Sequence, residues 1–547
     1  MKKMISLLTA LVLTIAATCQ TLNVKMNVVN YLFPASQTED MTYTNGTTLT
    51  VMGKTFTLSE IDAMTVEETS VADNTVNIQY DGTSATVTVA GNVAQYVTPT
   101  VSGAHVSIVQ SDGLAEEITY TLSGTSTDGE FYMSGSYKAT VELNGLTLTN
   151  TTPVYSGAAI HIQNGKRIKI KVVTGTTNTL CDASSGSQKG CLYVKGHAEF
   201  AQKGTLNIVG HVKHGIKTGE YMTLKNATIN VTSAVGDGIN TAGYFLMESG
   251  SVNISGTGDG GIQCDLDGDT STGETADHED EDSGNIYLEG GTVNVTVTAK
   301  DTKGIKSTGK LCISGGDINV TATGGEGIES KTSIDITGGQ VMVIASDDAI
   351  NASYNTTTNG SGDLTISGGC VYARSTGNDG IDSNGNCYLK GGLVYAIGAS
   401  TPELAVDANS EKQKKLYVTG GTLIAIGGLE SGASLTQSCY STNSWSKNTW
   451  YAMTVGNETL VFQTPSNGGN NMVVSGASQP VLKSGVTVSS GTSIFNGAAY
   501  TDATFSGGSS VSLSSYTGGG GGPGGGGWPG GGGGPGGGGR PGGGGGH

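Results

Sequence analysis

Residues 304–320 read Gly304-Ile305-Lys306-Ser307-Thr308-Gly309-Lys310-Leu311-Cys312-Ile313-Ser314-Gly315-Gly316-Asp317-Ile318-Asn319-Val320. The pattern returns 23 residues later as Gly327-Ile328, Ile334-Asp335-Ile336 and Gly338-Gly339-Gln340-Val341-Met342-Val343. Two anchors mark this repeat over much of the chain. The first is a small residue followed by an aliphatic one: Gly215-Ile216, Gly238-Ile239, Gly261-Ile262, Gly304-Ile305, Gly327-Ile328, Ala349-Ile350, Gly380-Ile381 and, in weakened form, Ala405-Val406. The aliphatics stand 23, 23, 43, 23, 22, 31 and 25 residues apart, so the longer steps carry insertions. The second anchor is a glycine turn, as at Gly290-Gly291, Gly315-Gly316, Gly338-Gly339, Gly368-Gly369, Gly391-Gly392 and Gly420-Gly421.

A period near 23 filled with short period-2 runs predicts one coil of a parallel β-helix, each coil burying its inward side chains against the next. The columns bear on this directly. Five residues before the second turn glycine stand Phe245, Ile286, Leu311, Ile334, Leu364, Cys387 and Leu416; three before it stand Met247, Leu288, Ile313, Ile336, Ile366, Leu389 and Val418. Both columns are apolar and point inward, whereas the column between them mixes Tyr287, Cys312, Asp335, Thr365, Tyr388 and Tyr417 and points out. A leucine-rich repeat is the rival, but its Leu-x-x-Leu-x-Leu pattern is missing.

Composition agrees. Glycine supplies 89 of 547 residues, which is incompatible with a helical bundle at about 1 kcal/mol per interior glycine. The chain is all-β on this reading. A formal charge of −18 argues against nucleic acid as a partner. Met1-Lys2-Lys3 and the apolar run Ile5–Ala17 read as an export signal over 1–19, implying a secreted or cell-surface protein; no later run is long enough to span a membrane. Cleavage before Gln20 is the preferred route, and membrane contact follows only if Cys19 is lipidated. Residues 20–112 read as an N-terminal β domain, 113–428 as the β-helix, 429–516 as a C-terminal β region and 517–547 as a disordered Gly-rich tail. Seven cysteines remain beyond Cys19, an odd and scattered set; Cys181 and Cys191 are the expected pair, and the others read as small hydrophobes.

Acids recur around the first anchor: Asp237, Asp259, Glu326 with Glu329, Asp347 with Asp348, Asp379 with Asp382, and Asp407. Coils stack about 4.8 Å apart, so such a ladder repels itself unless a cation intervenes. Calcium suits it, taking six to eight oxygen ligands. Glu326, Glu329, Asp348, Asp379 and Asp382 are the leading candidates, with Asp237 and Asp259 further along. The competing reading has solvated turn carboxylates offset by Lys303, Lys306 and Lys331. An insert from Asp265 to Asp282 holds nine more acids; Asp265-x-Asp267-x-Asp269 lacks the turn glycine and terminal glutamate of an EF-hand loop. His211 and His214 have no zinc-set spacing.

Tyr287, Tyr388 and Tyr417 on the outward column could stack on pyranose rings. So could Tyr372 and Tyr395, three residues after a turn glycine in a column that begins Asn253, Asn294, Asn319. The apolar neighbours Ile344, Ile397 and Ile426 point the other way for this second pair, to a surface covered by residues 429–515.

Several segments carry a resemblance: Ile118-Thr119-Tyr120-Thr121-Leu122-Ser123-Gly124, Val141-Glu142-Leu143-Asn144-Gly145-Leu146, Thr176-Thr177-Asn178-Thr179-Leu180 and the repeated Asp237-Gly238-Ile239 type. Over roughly 115–428 the chain resembles the secreted bacterial carbohydrate-binding domain-containing family. The resemblance implies a right-handed parallel β-helix with bound calcium, related to pectate-lyase scaffolds and binding cellulose and acidic pectic sugars. A non-catalytic polysaccharide-binding protein is the expectation. The alternatives are a calcium-dependent pectate-type lyase, with Lys303, Lys306, Lys331 or Arg374 as base, and a surface adhesin whose β-helix is only a stalk.

Overall fold

The computed structural model describes residues 20–38, 41–266, 283–354 and 360–518. The segment expected to be an export signal, most of the acidic insert and the Gly-rich tail lie outside the described residues.

The repeat folds as a parallel β-helix with three strands per coil. In one coil these are Ile328–Ser330, Ser333–Ile336 and Gln340–Ala345. Each pairs in parallel with its counterpart a coil away: Ile328 with Ile350, Ile334 with Leu364, Val341 with Val371. The first strands build a twelve-stranded sheet running from the N-terminal coils to Ile381–Ser383. Both apolar columns are inward as expected, for Leu311, Ile313, Ile334 and Ile336 are fully buried. Period-2 alternation places them there, since every second side chain of a strand faces the same side. The second glycine of the turn is required by the backbone: Gly339 has φ +79° and Gly316 +87°, a left-handed conformation that a Cβ disfavours.

Coiling begins earlier than the repeat does. Thr75–Gly82 already pairs in parallel with Ile118–Ser126, and Ala104–Gln110 with Gly129–Ser134. One apolar core runs unbroken from Leu22 to Val473. The expected boundary at 112 therefore marks a change of sequence pattern and not a gap between two cores. Antiparallel strands Thr21–Met26, Val29–Pro34 and Ala63–Glu67 complete the N-terminal end.

At the other end, Trp450–Val455, Glu458–Gln463, Val481–Ile494 and Ala499–Val511 close into a four-stranded barrel. The barrel sits on the face where the outward column turns from polar to apolar. Asn207, Asn230, Asn253, Asn294 and Asn319 form a hydrogen-bonded ladder in which each amide from Asn230 onward donates to the one before it at 2.8–3.3 Å. Asn496 of the barrel donates to Asn319 Oδ1 at 3.2 Å, and beyond that point Tyr372, Tyr395 and Ile424 pack against Tyr451, Phe462 and Phe495. All seven cysteines among the described residues are free, including Cys181 and Cys191, so the expected pair is not bonded. Cys191 is instead a buried core residue, and Cys181 lies 3.6 Å from His211 Nδ1.

Candidate functional site

Register on the twelve-stranded sheet carries one outward column from Lys306 through Glu329 and Asn351 to Asp382. Single parallel bridges from Ile381 to Val406 and from Val406 to Leu429 extend it, so that Asp407 and Glu430 follow Asp382. The turn entering each strand adds Glu326, Asp348 and Asp379, two residues before the buried aliphatic. Local anchoring is by main chain. Asp379 Oδ1 accepts from the Leu404 N–H at 2.5 Å, and Asp348 accepts from the Asp379 N–H at 3.0 Å and from Asn351 Nδ2 at 3.2 Å.

Asp379, Asp382 and Asp407 each bring one carboxylate oxygen to within 4.8 Å of the others. Ligands held at 2.3–2.6 Å by one calcium ion lie no more than about 5 Å apart, so this spacing fits the ion. Burial, then the Asp382 charge, pushes Asp348 up to about 8. Burial, then Asp382, Glu403 and Glu430, pushes Asp379 up to about 7, and burial with Asp347 pushes Asp382 up to about 6. Asp407 is raised by burial and by its hydrogen bond and charge repulsion with Glu430. Four acids are thus held where their charged forms are disfavoured, which is the environment a divalent cation relieves.

The expected ligands divide into three groups. Asp348, Asp379 and Asp382 belong to this cluster. Glu326 and Glu329 each face a lysine, Lys303 Nζ lying 3.6 Å from Glu326 Oε1 and Lys331 pairing with Glu329, yet burial and then the Glu329 charge still push Glu326 up to about 7. Each of these glutamates still has one buried oxygen, Oε2, without a hydrogen bond. Asp237 sits five coils away, roughly 24 Å at the strand spacing. It is satisfied by the Gly260 N–H at 2.9 Å, by Asn240 at 2.8 Å and by His214. Burial raises its pKa, but those partners outweigh it and hold Asp237 below the ordinary range. Asp259 is an exposed turn residue. The structure does not bring Asp237 and Asp259 to the cluster. Sequence reading counted Asp407 among the acids without making it a ligand, and it missed Glu430. The signal was present in Gly428-Leu429-Glu430, which repeats Gly327-Ile328-Glu329 with its aliphatic 23 residues after Val406.

On the adjacent face of the same coils, Tyr388 and Tyr417 stack at 5.0 Å between centroids and 11° between planes, and both are half-buried. Lys390 Nζ lies 4.7 Å over the Tyr388 ring. Tyr417 pairs across the next strand with Ser434, a side chain too small to cover a ring. Tyr287 stands apart, its hydroxyl accepting from Asn285 Nδ2 at 2.7 Å. Tyr372 and Tyr395 are a correction: at 5 % and 1 % exposure they lie under the C-terminal barrel, with the Tyr395 hydroxyl donating to the Gln463 carbonyl. They are core residues of that interface.

Comparison with known proteins bears on the family. The model of a family described as carbohydrate-binding domain-containing protein matches residues 102–301 and 295–436. A curated carbohydrate-binding domain-containing protein of Acetivibrio thermocellus is 28 % identical over 109 residues, which is 18 % of this chain and 37 % of that protein. The chain therefore spans little over a third of the length of that relative. A solved gadolinium derivative of a polysaccharide lyase-like protein from C. thermocellum is 22 % identical, with a TM-score of 0.38 over 48 % of this chain and 96 % of that one.

Proposed function

The chain belongs to the carbohydrate-binding domain-containing family, and from that premise we propose that it is an exported, non-catalytic polysaccharide-binding protein whose acidic cluster holds calcium. The observation that carries the reading is the conjunction, in two neighbouring coils, of the Tyr388–Tyr417 stack with the Asp379, Asp382 and Asp407 carboxylates. Calcium in that cluster would present positive charge to a uronate, so an acidic chain is recognised despite the protein's net charge of −18. A neutral glucan needs no metal and lies on the tyrosines. Tyr388 is already sandwiched between Tyr417 and Lys390, so Tyr417 is the ring that meets sugar and Tyr388 is its support.

Three of the basic residues a lyase would need are engaged elsewhere. Lys303 and Lys331 hold glutamates, and Arg374 donates to Asn467 Oδ1 at 2.7 Å beside the C-terminal barrel. Lys306, the fourth candidate base, is in no such pair among the described residues, so release of unsaturated product is the measurement that separates binding from cleavage.

The test is retention of the mature protein on insoluble cellulose and on polygalacturonate, each with calcium and with a chelator. Calcium-dependent retention on polygalacturonate, without release of unsaturated product, is expected; no retention on either polymer sinks the proposal. Tyr417→Ala is expected to weaken retention by about threefold to tenfold, and Tyr388→Ala by less. Equal and undiminished retention of both variants would remove the tyrosine pair from the site.

A further inference from the structure

We propose that a second glycan-binding surface, built from Tyr132, Tyr155, His161 and Tyr193, lies at the N-terminal end of the twelve-stranded sheet and takes an extended chain of neutral pyranose sugars. It rests on the carbohydrate-binding reading but uses none of the residues assigned above. The register of the sheet places Tyr132, His161, Tyr193 and Lys217 in one outward column on successive strands. Tyr132 and His161 are 4.8 Å apart between ring centroids, and His161 and Tyr193 are 5.0 Å apart. Tyr155 reaches in from the preceding loop and stacks on Tyr132 at 5.3 Å and 24°. His161, 8 % exposed, packs edge-to-face on Tyr132 at 79° and on Tyr193 at 89°, so it spaces the rings, and Tyr155 and Tyr193 are the rings offered to sugar.

The loop that carries Tyr155 is held rigidly. Glu130, only 2 % exposed, accepts from the Val154 and Tyr155 N–H groups at 2.7 and 2.9 Å and from Asn150 Nδ2 at 3.1 Å. Asp128 accepts from the Thr151 and Thr152 N–H groups at 3.0 and 2.9 Å. A buried carboxylate is costly unless fully hydrogen-bonded, and here it is spent fixing a surface loop. That loop displays Val154 at 50 % and Tyr155 at 36 % exposure, apolar side chains that contribute nothing to the core. Exposed apolar groups on a pre-organised loop mark a contact surface. His161 is fixed as well, by Ser156 Oγ at 2.6 Å on Nδ1 and Gln163 Oε1 at 3.0 Å on Nε2.

Ring faces, and not charge, point to a neutral sugar, since a column holding Lys217 and Lys306 would also attract a uronate. From Tyr132 the outward column continues through Lys217, Asn240, Gln263 and Lys306, and no carboxylate enters it before Glu329. Aromatic faces bordered by amides suit the apolar face and hydroxyl edge of an uncharged pyranose. One sheet thus carries an aromatic end and an acidic end.

Affinity electrophoresis of the full mature chain, with chelator, through gels containing hydroxyethyl cellulose or polygalacturonate tests this. Tyr155→Ala with Tyr193→Ala is expected to raise the Kd for hydroxyethyl cellulose by at least about tenfold, at about threefold to tenfold per ring, whereas the double Phe variant stays close to wild type. Tyr155→Ala alone, at an exposed site, gives the single-ring effect without endangering the fold, and melting temperature is followed throughout. If wild type is retarded and the Ala variants are retarded equally, the platform is overturned while the polysaccharide-binding reading stands. If the Ala variants lose retardation only in polygalacturonate, the neutral-sugar assignment is overturned. Absence of retardation of wild type in both gels, with and without calcium, overturns both proposals.

Discussion

Raising the pH of the metal-free protein from about 5 to about 8 is expected to lower its melting temperature by about 5 °C, and saturating calcium is expected to abolish the fall. The sign follows from the acidic cluster. Asp348, Asp379 and Asp382 are pushed up to about 8, 7 and 6 by burial first and then by neighbouring carboxylates. The folded chain therefore keeps protons that the unfolded chain releases near pH 4, and wherever the folded state binds more protons, stability drops as pH rises. The stabilisation is complete below about pH 4, where both states are protonated, and is lost progressively from there up to about 8, each acid ceasing to contribute to the fall once its folded-state value is passed. Calcium takes the place of the protons, so its apparent affinity should climb over the same window. Asp382→Asn separates the two effects: the variant should be more stable than wild type at pH 8 without metal, and it should lose most of the calcium response. Scanning calorimetry with and without chelator measures both. A melting temperature that is flat with pH and indifferent to calcium in wild type would exclude a cation site at Asp379, Asp382 and Asp407.

The architecture was readable because a β-helix writes its geometry into the sequence at fixed intervals. Ile334 and Ile336 face inward for the same reason in every coil, and a period of 23 aligns them. The site was readable only in part. Asp348, Asp379 and Asp382 follow strong anchors, but Asp407 and Glu430 follow Val406 and Leu429, which join the sheet through isolated bridges where the anchor has faded. Tyr372 and Tyr395 look outward by alternation, as indeed they are; what covers them is a barrel more than fifty residues downstream, and no local pattern encodes that contact. The aromatic strip was hidden for a different reason. Ala159-Ile160-His161 and Cys191-Leu192-Tyr193 carry the small-aliphatic anchor with no glycine in it, and the first coils lack the paired-glycine turn that fixes the register elsewhere.

The anchor glycine itself is expected to be required by packing between two faces of the coil, and Gly327→Ala should destabilise the fold by about 2 kcal/mol. A Cβ on Gly327 would stand 2.1 Å from Val343 Cγ1 and 2.6 Å from the Ala349 carbonyl oxygen, and one on Gly304 would stand 2.2 Å from Val320 Cγ1. In the next coil the same two columns carry Ala349 and Ala373, because Ile328 aligns with Ile350 and Val343 with Ala373. Two coils further on they carry Ala405 and Ala425, while the coil between, with Gly380 and Ala396, keeps the small anchor because a Cβ there would meet the Ala405 carbonyl and the Ile397 main chain. The extra methyl on the anchor side is thus matched by the loss of two methyls on the facing strand, which is how a close-packed interior tolerates exchange at nearly constant volume. Val343→Ala alone should cost about 2 kcal/mol by leaving a cavity. Combined with Gly327→Ala, it should reproduce the arrangement of the Ala349 coil and cost well under the sum of the two. Denaturant midpoints for the four members of the cycle yield the coupling, expected at about 1 kcal/mol or more. Strict additivity would mean that the close approach to the Ala349 carbonyl, and not the Val343 side chain, excludes a methyl at position 327; Ala349 would then owe its place to a wider gap between its own coil and the next.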